Sequence, residues 1–184
     1  GTAALPARVR PYDDDHARIT LDRRLPLVVG DRLVLRHPGS RRVLGGAQVL
    51  DAEPPALRRR GDAARRLAVV ARLDPRGDVA AEVARRGAVP VAHLGRLGLL
   101  DATATPPPPV RAVDRWWVHG PTFQAWTTRL RTAVEALHDR DPLAGGLSRG
   151  AAADLLALPD RDLLDAVVTA ADLEHAGGHI RLPG

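Results

Sequence analysis

The sequence predicts an α+β fold in which a partial antiparallel β-barrel is followed by two tandem winged-helix domains. Over the first 55 residues, apolar and polar side chains alternate with the period of two that is typical of strands. After 53-EPP-55 the apolar residues recur every three or four positions, as in helices. Three helices and then a β-hairpin follow twice in succession, which is the order of a winged-helix domain. The predicted domains are residues 1–55, 56–119 and 120–184.

The first segment contains four short alternating runs, which predict four strands separated by polar turns. These runs are 7-ARVR-10, 17-ARITL-21, 32-RLVL-35 and 47-AQVL-50. The turn 37-HPGS-40 is followed by Val43 and Leu44, so a hairpin is expected here, with a bulge or a close backbone approach at Gly45 and Gly46. Four strands make a thin barrel, and we therefore expect the chain to be a fragment that lacks an N-terminal part.

The middle segment begins with an amphipathic helix whose apolar side contains Ala63, Leu67 and Val70. The runs 78–86 and 91–100 predict two further short helices, and 110-VRAVDRWWV-118 predicts a strand pair around Asp114 and Arg115.

The last segment repeats this order. A long helix is expected just after Pro121, a second from about Ser148 to Ala157, and a third from near Asp160. The run 173-LEHAGGHIRL-182 then predicts strand, Gly-Gly turn and strand.

Composition excludes several classes of function. The 184 residues include no cysteine, so disulfides, thiolate metal sites and a cysteine nucleophile are excluded. No apolar run reaches the length of about 18 residues that a membrane span needs, and the N-terminus lacks the apolar core of a signal peptide. We expect a cytoplasmic, monomeric protein that makes no membrane contact. No Ser-His-Asp arrangement can be identified, and no enzymatic activity is predicted.

Basic residues are distributed unevenly along the chain. All 27 are arginine, a bias typical of a GC-rich genome, so their distribution is more informative than their number. Residues 56–119 contain 12 arginines and 6 acidic residues, a net charge of +6, whereas residues 1–55 and 120–184 have net charges of +2 and −3. The middle segment is therefore the best candidate for binding phosphate. The candidate nucleic-acid-binding residues are Arg58, Arg59, Arg65, Arg66, Arg72, Arg41 and Arg42.

Arg58, Arg65 and Arg72 recur every seven residues, so we expect them on one outer face of the first helix of the middle segment. The alternative is that these arginines reflect only codon bias on a solvated surface.

Other patterns favour structural roles. The histidines of 175-HAGGH-179 lack further ligands nearby, and 13-DDDH-16 is typical of a turn between strands, so no metal site is predicted. Trp116, Trp117 and Trp126 could stack on bases, but in a chain with few aromatic residues they are expected in the core, with one of the adjacent pair facing the other side of its strand.

The Gly-rich segment does not match a phosphate-binding loop. A loop of the Walker type requires G-x-x-x-x-G-K-[ST], and here Gly45 and Gly46 continue into a strand without a lysine. They also precede no helix N-terminus that could face an anion. We therefore predict that this chain contains no GTPase domain.

The barrel end and the segment after it resemble the selenocysteine-specific elongation factor SelB of GC-rich, actinobacterial-like genomes. The run 25-LPLVVGDRLVLR-36 is similar to the closing strands of the third, β-barrel domain of an elongation factor, and the final GGHIRLPG is similar to the end of the family's second winged helix. The resemblance covers nearly the whole chain, although its motifs are structural and none is catalytic. The matching positions are Arg36, Pro38 to Arg42, Gly45, Gly46, Val49 to Asp51 and Pro54 to Gly61.

The resemblance implies a translation factor that binds GTP and selenocysteyl-tRNA through N-terminal domains and an mRNA hairpin through its last winged helices, with the ribosome as a further partner. GTP and magnesium are expected for the full-length factor, and no cofactor for this fragment. Only two of the family's four winged helices fit in this length. On this interpretation, the fragment connects the tRNA-carrying body to the mRNA-reading tip.

Two alternatives remain open. The first is a winged-helix DNA-binding transcription regulator, which needs a recognition helix with base and phosphate contacts. The predicted third helices are poor in such groups: 91-VAHLGRLGLL-100 offers His93 and Arg96, and 160-DRDLLDAVVTAAD-172 contains four aspartates and one arginine. The second is a structural scaffold without any nucleic-acid contact.

Overall fold

The chain folds into two compact units. The computed structural model describes residues 3–40, 42–101 and 103–184. The first unit is formed by Gly1–Ala81 and Ala92–Ala104, and the second by Glu82–Val91 and Thr105–Gly184. These units divide the chain differently from the boundaries at 55/56 and 119/120, which remain predictions about domain organisation.

The first unit begins with two β-hairpins. Strand β1 (Ala7–Pro11) pairs antiparallel with β2 (Ala17–Leu21), and β3 (Arg32–Arg36) pairs antiparallel with β4 (Val43–Gln48). Each hairpin forms its own two-stranded sheet. The four strands lie where alternation predicted them, except that β4 begins four residues earlier than the run used to predict it.

The Gly pair lies inside β4. Gly46 is opposite Val34 and Gly45 is opposite Leu35, and the pairing register shifts between Leu35 and Arg36. The predicted hairpin is therefore confirmed, but the irregularity lies at Leu44, which has no partner in the register, and not at the two glycines. Because both glycines lie within a paired strand, they form no loop that could surround a phosphate.

Three helices follow the hairpins: α1 (Asp62–Val70), α2 (Val79–Arg86) and α3 (Val91–Arg96). The end of α3 packs against the loop between β2 and β3, where the Val29 N–H donates to the Leu97 carbonyl oxygen at 2.9 Å. Gly98 has a φ of 73°, and a Cβ there would lie 2.8 Å from Val28 Cβ, so this close approach requires glycine.

The second unit contains a three-stranded sheet. It consists of β5 (Ala88–Pro90), β6 (Val110–Val113) and β7 (Trp116–His119), with β7 in the centre. The predicted strand pair around Asp114 is confirmed as β6 and β7. Strand β5 was not predicted.

Three helices and a second small sheet complete this unit, and the sheet has the strand order β8-β10-β9. Their bounds are, in chain order, α4 (Gly120–Arg140), β8 (Leu147–Ser148), α5 (Arg149–Leu156), α6 (Leu163–Ala170), β9 (Glu174–Ala176) and β10 (His179–Arg181). The helix expected from Ser148 is confirmed, since Ser148 Oγ accepts the Ala151 N–H at 3.2 Å as an N-cap. The helix expected from near Asp160 begins three residues later, because Asp160 first accepts the Asp162 N–H in a turn.

One hydrophobic core joins the β5-β7-β6 sheet to helices α4, α5 and α6. Val118 of β7, Leu130 of α4 and Leu163 of α6 are completely buried within it. No loop separates β7 from α4, since one ends at His119 and the other begins at Gly120. The Gly120 N–H donates to the Pro109 carbonyl oxygen at 3.0 Å, and a Cβ on Gly120 would lie only 2.6 Å from that oxygen.

The tryptophans are core residues. Trp116 and Trp117 are 7% and 4% exposed, and as neighbours in a strand they point to opposite faces of the sheet. Trp126 of α4 packs against the same core as Trp116. Trp116 and Trp117 are therefore too deeply buried to stack on a base, whereas Trp126 is partly buried. Within the described ranges, no helix combines the length and the apolarity that crossing a membrane requires.

Candidate nucleic-acid interface

Three consecutive arginines form an exposed turn just before α1. The sequence 58-RRRGD-62 folds back because the Asp62 carboxylate accepts the backbone N–H groups of Arg58 and Arg59, each at 2.7 Å. Gly61 precedes the helix with a φ of 86°, a conformation that glycine adopts without strain. The side chains of Arg58, Arg59 and Arg60 are all exposed. We refer to residues 58–62 as the arginine turn.

Asp62 also pairs with a fourth arginine. Arg65, one helical turn later, donates to the other Asp62 carboxylate oxygen at 2.6 Å and keeps 68% of its side chain exposed. The Arg59 N–H, the Arg65 guanidinium and the Arg58 N–H together hold the pKa of Asp62 below its ordinary value. The carboxylate therefore stays ionised over the neutral range and keeps the turn folded.

Arg66 is buried, unlike its neighbours. Its guanidinium pairs with the Asp51 carboxylate, and the two side chains are 6% and 12% exposed. Arg66 lies one helical turn before Val70, which is also buried, so it belongs to the inner face of α1. Its positive charge is paired with Asp51 inside the first unit, so its side chain is not available on the surface to bind a nucleic acid.

The remaining candidates lie apart from the arginine turn. Arg72 is exposed two positions beyond the C-terminal end of α1, a nine-residue helix about 13 Å long. Arg42 is exposed at the β3-β4 hairpin, where its carbonyl oxygen accepts the His37 N–H at 2.8 Å. Arg41 lies outside the described residues.

The predicted stripe of Arg58, Arg65 and Arg72 along one helix is wrong. Helix α1 covers only Asp62–Val70, so Arg58 precedes it and Arg72 follows it. The structure instead brings Arg58, Arg59 and Arg65 together around Asp62. Sequence reasoning missed Arg60, although the unbroken run of three arginines was a visible signal.

The polar side chains of α3 are engaged within the first unit. His93 Nε2 lies 3.1 Å from the Glu53 carboxylate, and the Arg96 guanidinium donates to His93 Nδ1 at 2.8 Å. Because Nδ1 accepts, Nε2 is the nitrogen that donates to Glu53. With only six residues and its His and Arg engaged, α3 has few groups with which to contact a DNA groove.

The N-terminal end of α6 presents carboxylates that already have partners. Arg115, in the β6-β7 turn, contacts Asp160 at 2.8 Å and Asp162 at 2.7 Å. The Asp162 N–H and then the Arg115 guanidinium lower the pKa of Asp160. The same arginine thus holds the β6-β7 turn against the start of α6.

A second ion cluster lies on α6. Arg149 contacts Asp165 at 2.7 Å, and His175 Nε2 lies 3.1 Å from the same carboxylate. The Arg149 guanidinium is the main cause of the lowered pKa of Asp165, and His175 contributes. Arg149 is therefore already engaged with Asp165 and is not a free cation for a phosphate backbone.

No metal centre emerges from the described residues. His175 is engaged with Asp165, and His179 Nδ1 lies 3.1 Å from the Gly177 carbonyl oxygen. In the N-terminal hairpin turn, Asp13 accepts the N–H groups of Asp15 and His16. Across residues 3–40, 42–101 and 103–184, no three His, Cys, Asp or Glu side chains are grouped so that they could hold a metal ion.

Comparison with known proteins shows that the chain is similar to part of a selenocysteine-specific elongation factor. Residues 1–56 match the family model described as the selenocysteine-specific elongation factor, beta-barrel domain. No curated protein matches the sequence. The resemblance to SelB is confirmed, and it rests on a match to the first 56 residues and on a structural likeness that extends further.

That structural likeness is to a crystal structure of the bacterial selenocysteine-specific elongation factor EF-Sec. The TM-score is 0.67 at 15% sequence identity, over 97% of this chain. The predicted α+β fold, with a barrel segment before winged helices, is therefore confirmed. This chain spans 30% of the length of the EF-Sec chain.

Proposed function

We propose that this chain connects the body of a selenocysteine-specific elongation factor, which carries GTP and selenocysteyl-tRNA, to the tip that reads the mRNA hairpin. The family match of the first 56 residues supports the assignment to this factor. On this proposal, the complete protein acts in the cytoplasm as a monomer, with the ribosome as a further partner. GTP and magnesium bind elsewhere in the complete factor.

The continuous core of the second unit is the observation that carries the connecting role. Residues Ala88, Val118, Leu130, Leu164 and Ile180, from strands and helices on both sides of His119, are all part of it. A connector that must keep a fixed length needs such a core, because a flexible linker changes its end-to-end distance freely. Both third helices are poorly equipped to read a groove, which supports a connecting role over a DNA-reading role.

The coding sequence on both sides gives the first test. The proposal expects a GTPase domain upstream and further winged helices downstream. A kinase, a receiver or a ligand-binding domain there would contradict it and favour a transcription regulator.

A selenocysteine reporter tests the connecting role itself. In a bacterium that lacks its own factor, the complete gene product should support selenium-dependent readthrough of a UGA codon followed by its hairpin. Replacing residues 105–184, which all belong to the second unit, by a Gly/Ser segment of equal residue number should abolish readthrough. The matched control replaces Arg129, Arg140 and Arg161 by Gln, which changes charge but not the core. Full readthrough with the Gly/Ser segment would contradict the need for a folded connector, because a flexible tether would then be enough. Selenium-independent readthrough would contradict the assignment to a selenocysteine-specific factor.

A further inference from the structure

Three guanidinium groups of the arginine turn make no interaction that stabilises the fold in the described part of the chain. Among the described residues, the guanidinium groups of Arg58, Arg59 and Arg60 have no hydrogen-bond or ion-pair partner. By contrast, Arg65 and Arg66 are both paired with aspartates. Three adjacent exposed guanidinium groups concentrate positive charge at this turn, which attracts an anionic partner.

We propose that Arg58, Arg59 and Arg60 form a binding site for the phosphate backbone of structured RNA, positioned by Asp62. The choice of RNA as the partner rests on the proposed function. Asp62 binds the backbone of the turn and leaves the three side chains exposed. It is a positioning residue, since its own carboxylate is occupied by Arg58, Arg59 and Arg65.

Arginine geometry suits phosphate contacts. The guanidinium fork binds phosphate oxygens in a bidentate manner. The Cα atoms of Arg58 and Arg60 lie at most about 7 Å apart, because successive residues are no more than about 3.6 Å apart along an extended chain. Long side chains spreading from such a short base can contact successive phosphates along one strand.

The surroundings of the turn favour phosphate over base or protein contacts. Residues 53–72 contain no Phe, Tyr or Trp, so the arginine turn has no such side chain beside it in the sequence on which a base could stack. A protein interface needs apolar anchors that bury on binding, and Leu57, the nearest large apolar side chain in sequence, is already half-buried. Binding should therefore be independent of RNA sequence.

The test measures fluorescence anisotropy of the 184-residue chain with two labelled RNA hairpins of unrelated sequence, between 50 and 200 mM KCl. The variant Arg58→Gln/Arg59→Gln/Arg60→Gln should weaken binding to both hairpins equally. The salt slope of log K should fall by about 2 to 3, since each lost phosphate contact removes about 0.7 to 0.9. Circular dichroism should show an unchanged helix content.

A matched control removes the same charge from the second unit. Arg129, Arg140 and Arg161 are exposed and have no side-chain partner among the described residues, so their triple Gln variant lowers net charge equally. The control should retain the salt slope of the unmodified chain. An equal loss in both variants would show that net charge alone attracts RNA, and it would overturn the site.

The variant Asp62→Ala separates positioning from charge. Removing a carboxylate makes the surface more positive, so electrostatics alone predicts tighter binding to both hairpins. If Asp62 positions the arginines, Asp62→Ala binds RNA more weakly, and Asp62→Glu restores part of the affinity. Tighter binding by the Ala variant would contradict the positioning role.

Two further outcomes would overturn the inference. Unchanged RNA binding by the triple Arg variant would do so, and so would binding of polyglutamate, but not RNA, through the same three arginines. These measurements need neither selenium nor the reporter, so they can fail while the connecting role stands. Conversely, a failed reporter with retained turn-dependent RNA binding would contradict only the proposed function.

Discussion

Replacing the buried Arg66 by Gln should destabilise the first unit far more than the same replacement at the exposed Arg65. Arg66→Gln leaves the Asp51 carboxylate buried without its cation, and breaking a buried pair costs about 3 to 5 kcal/mol. We expect about 3 kcal/mol, the low end, because Asp51 keeps 12% exposure and still accepts the Glu53 N–H at 2.8 Å. Arg65 is 68% exposed, so its pair with Asp62 is screened by water and should contribute far less to stability.

Hydrogen exchange measured by mass spectrometry resolves this difference within α1. A loss of about 3 kcal/mol raises the opening equilibrium about 150-fold, since each 1.4 kcal/mol is about tenfold. Peptides covering Asp62–Val70 should lose protection by that factor in Arg66→Gln and by less than about fivefold in Arg65→Gln.

A double replacement provides the internal check. Asp51→Leu/Arg66→Met removes both charges and keeps apolar volume, so it should recover most of the lost protection. Equal protection in Arg66→Gln and Arg65→Gln, or a double variant that is worse than Arg66→Gln alone, would refute the reasoning.

Three further predictions concern the core, pH and nucleotide binding. Leu130→Ala should cost about 2 to 5 kcal/mol in urea unfolding followed by tryptophan fluorescence, whereas Leu143→Ala, at a side chain that is 95% exposed, should change stability by less than about 0.5 kcal/mol. Asp165 has a pKa lowered by Arg149, so its stabilising contribution is present above the ordinary value of 3.8 and is lost as pH falls through the folded pKa. The stability difference between Asp165→Asn and the unmodified chain should therefore shrink on acidification below that value. Because the sequence has no Walker-type loop, calorimetric titration of this chain with GTP should show no micromolar binding.

Sequence periodicity was sufficient to predict a helix or strand that is long enough to show its period. The alternation in Ala17–Leu21 and the three-and-four spacing in α4 each continue long enough to show their period, and both elements were predicted. Strands β5 and β8 have three and two residues, too few to show a period. They exist because β7 and β10 provide pairing partners that are distant in sequence.

The candidate site likewise has one part that the sequence could predict and another that it could not. The arginine run and its aspartate are adjacent in sequence, so their proximity could be predicted. The burial of Arg66 depends on Asp51, fifteen positions earlier, and no local pattern contains that pairing. Its spacing of four from Val70 was the available signal. The predicted stripe that included Arg72 was wrong because α1 ends at Val70, and the periodicity of the sequence contains no signal that ends the helix there.

The direct junction of β7 and α4 has a mechanical consequence. Since His119 is followed at once by the helix, no slack residue can uncoil when tension is applied along this part of the chain. The 21-residue helix α4 extends about 31 Å, at about 1.5 Å per residue. A pulling force across the junction must first separate packed side chains such as Val118 and Leu130 before the distance between β7 and α4 can grow. This segment should therefore resist extension at low force and then unfold abruptly.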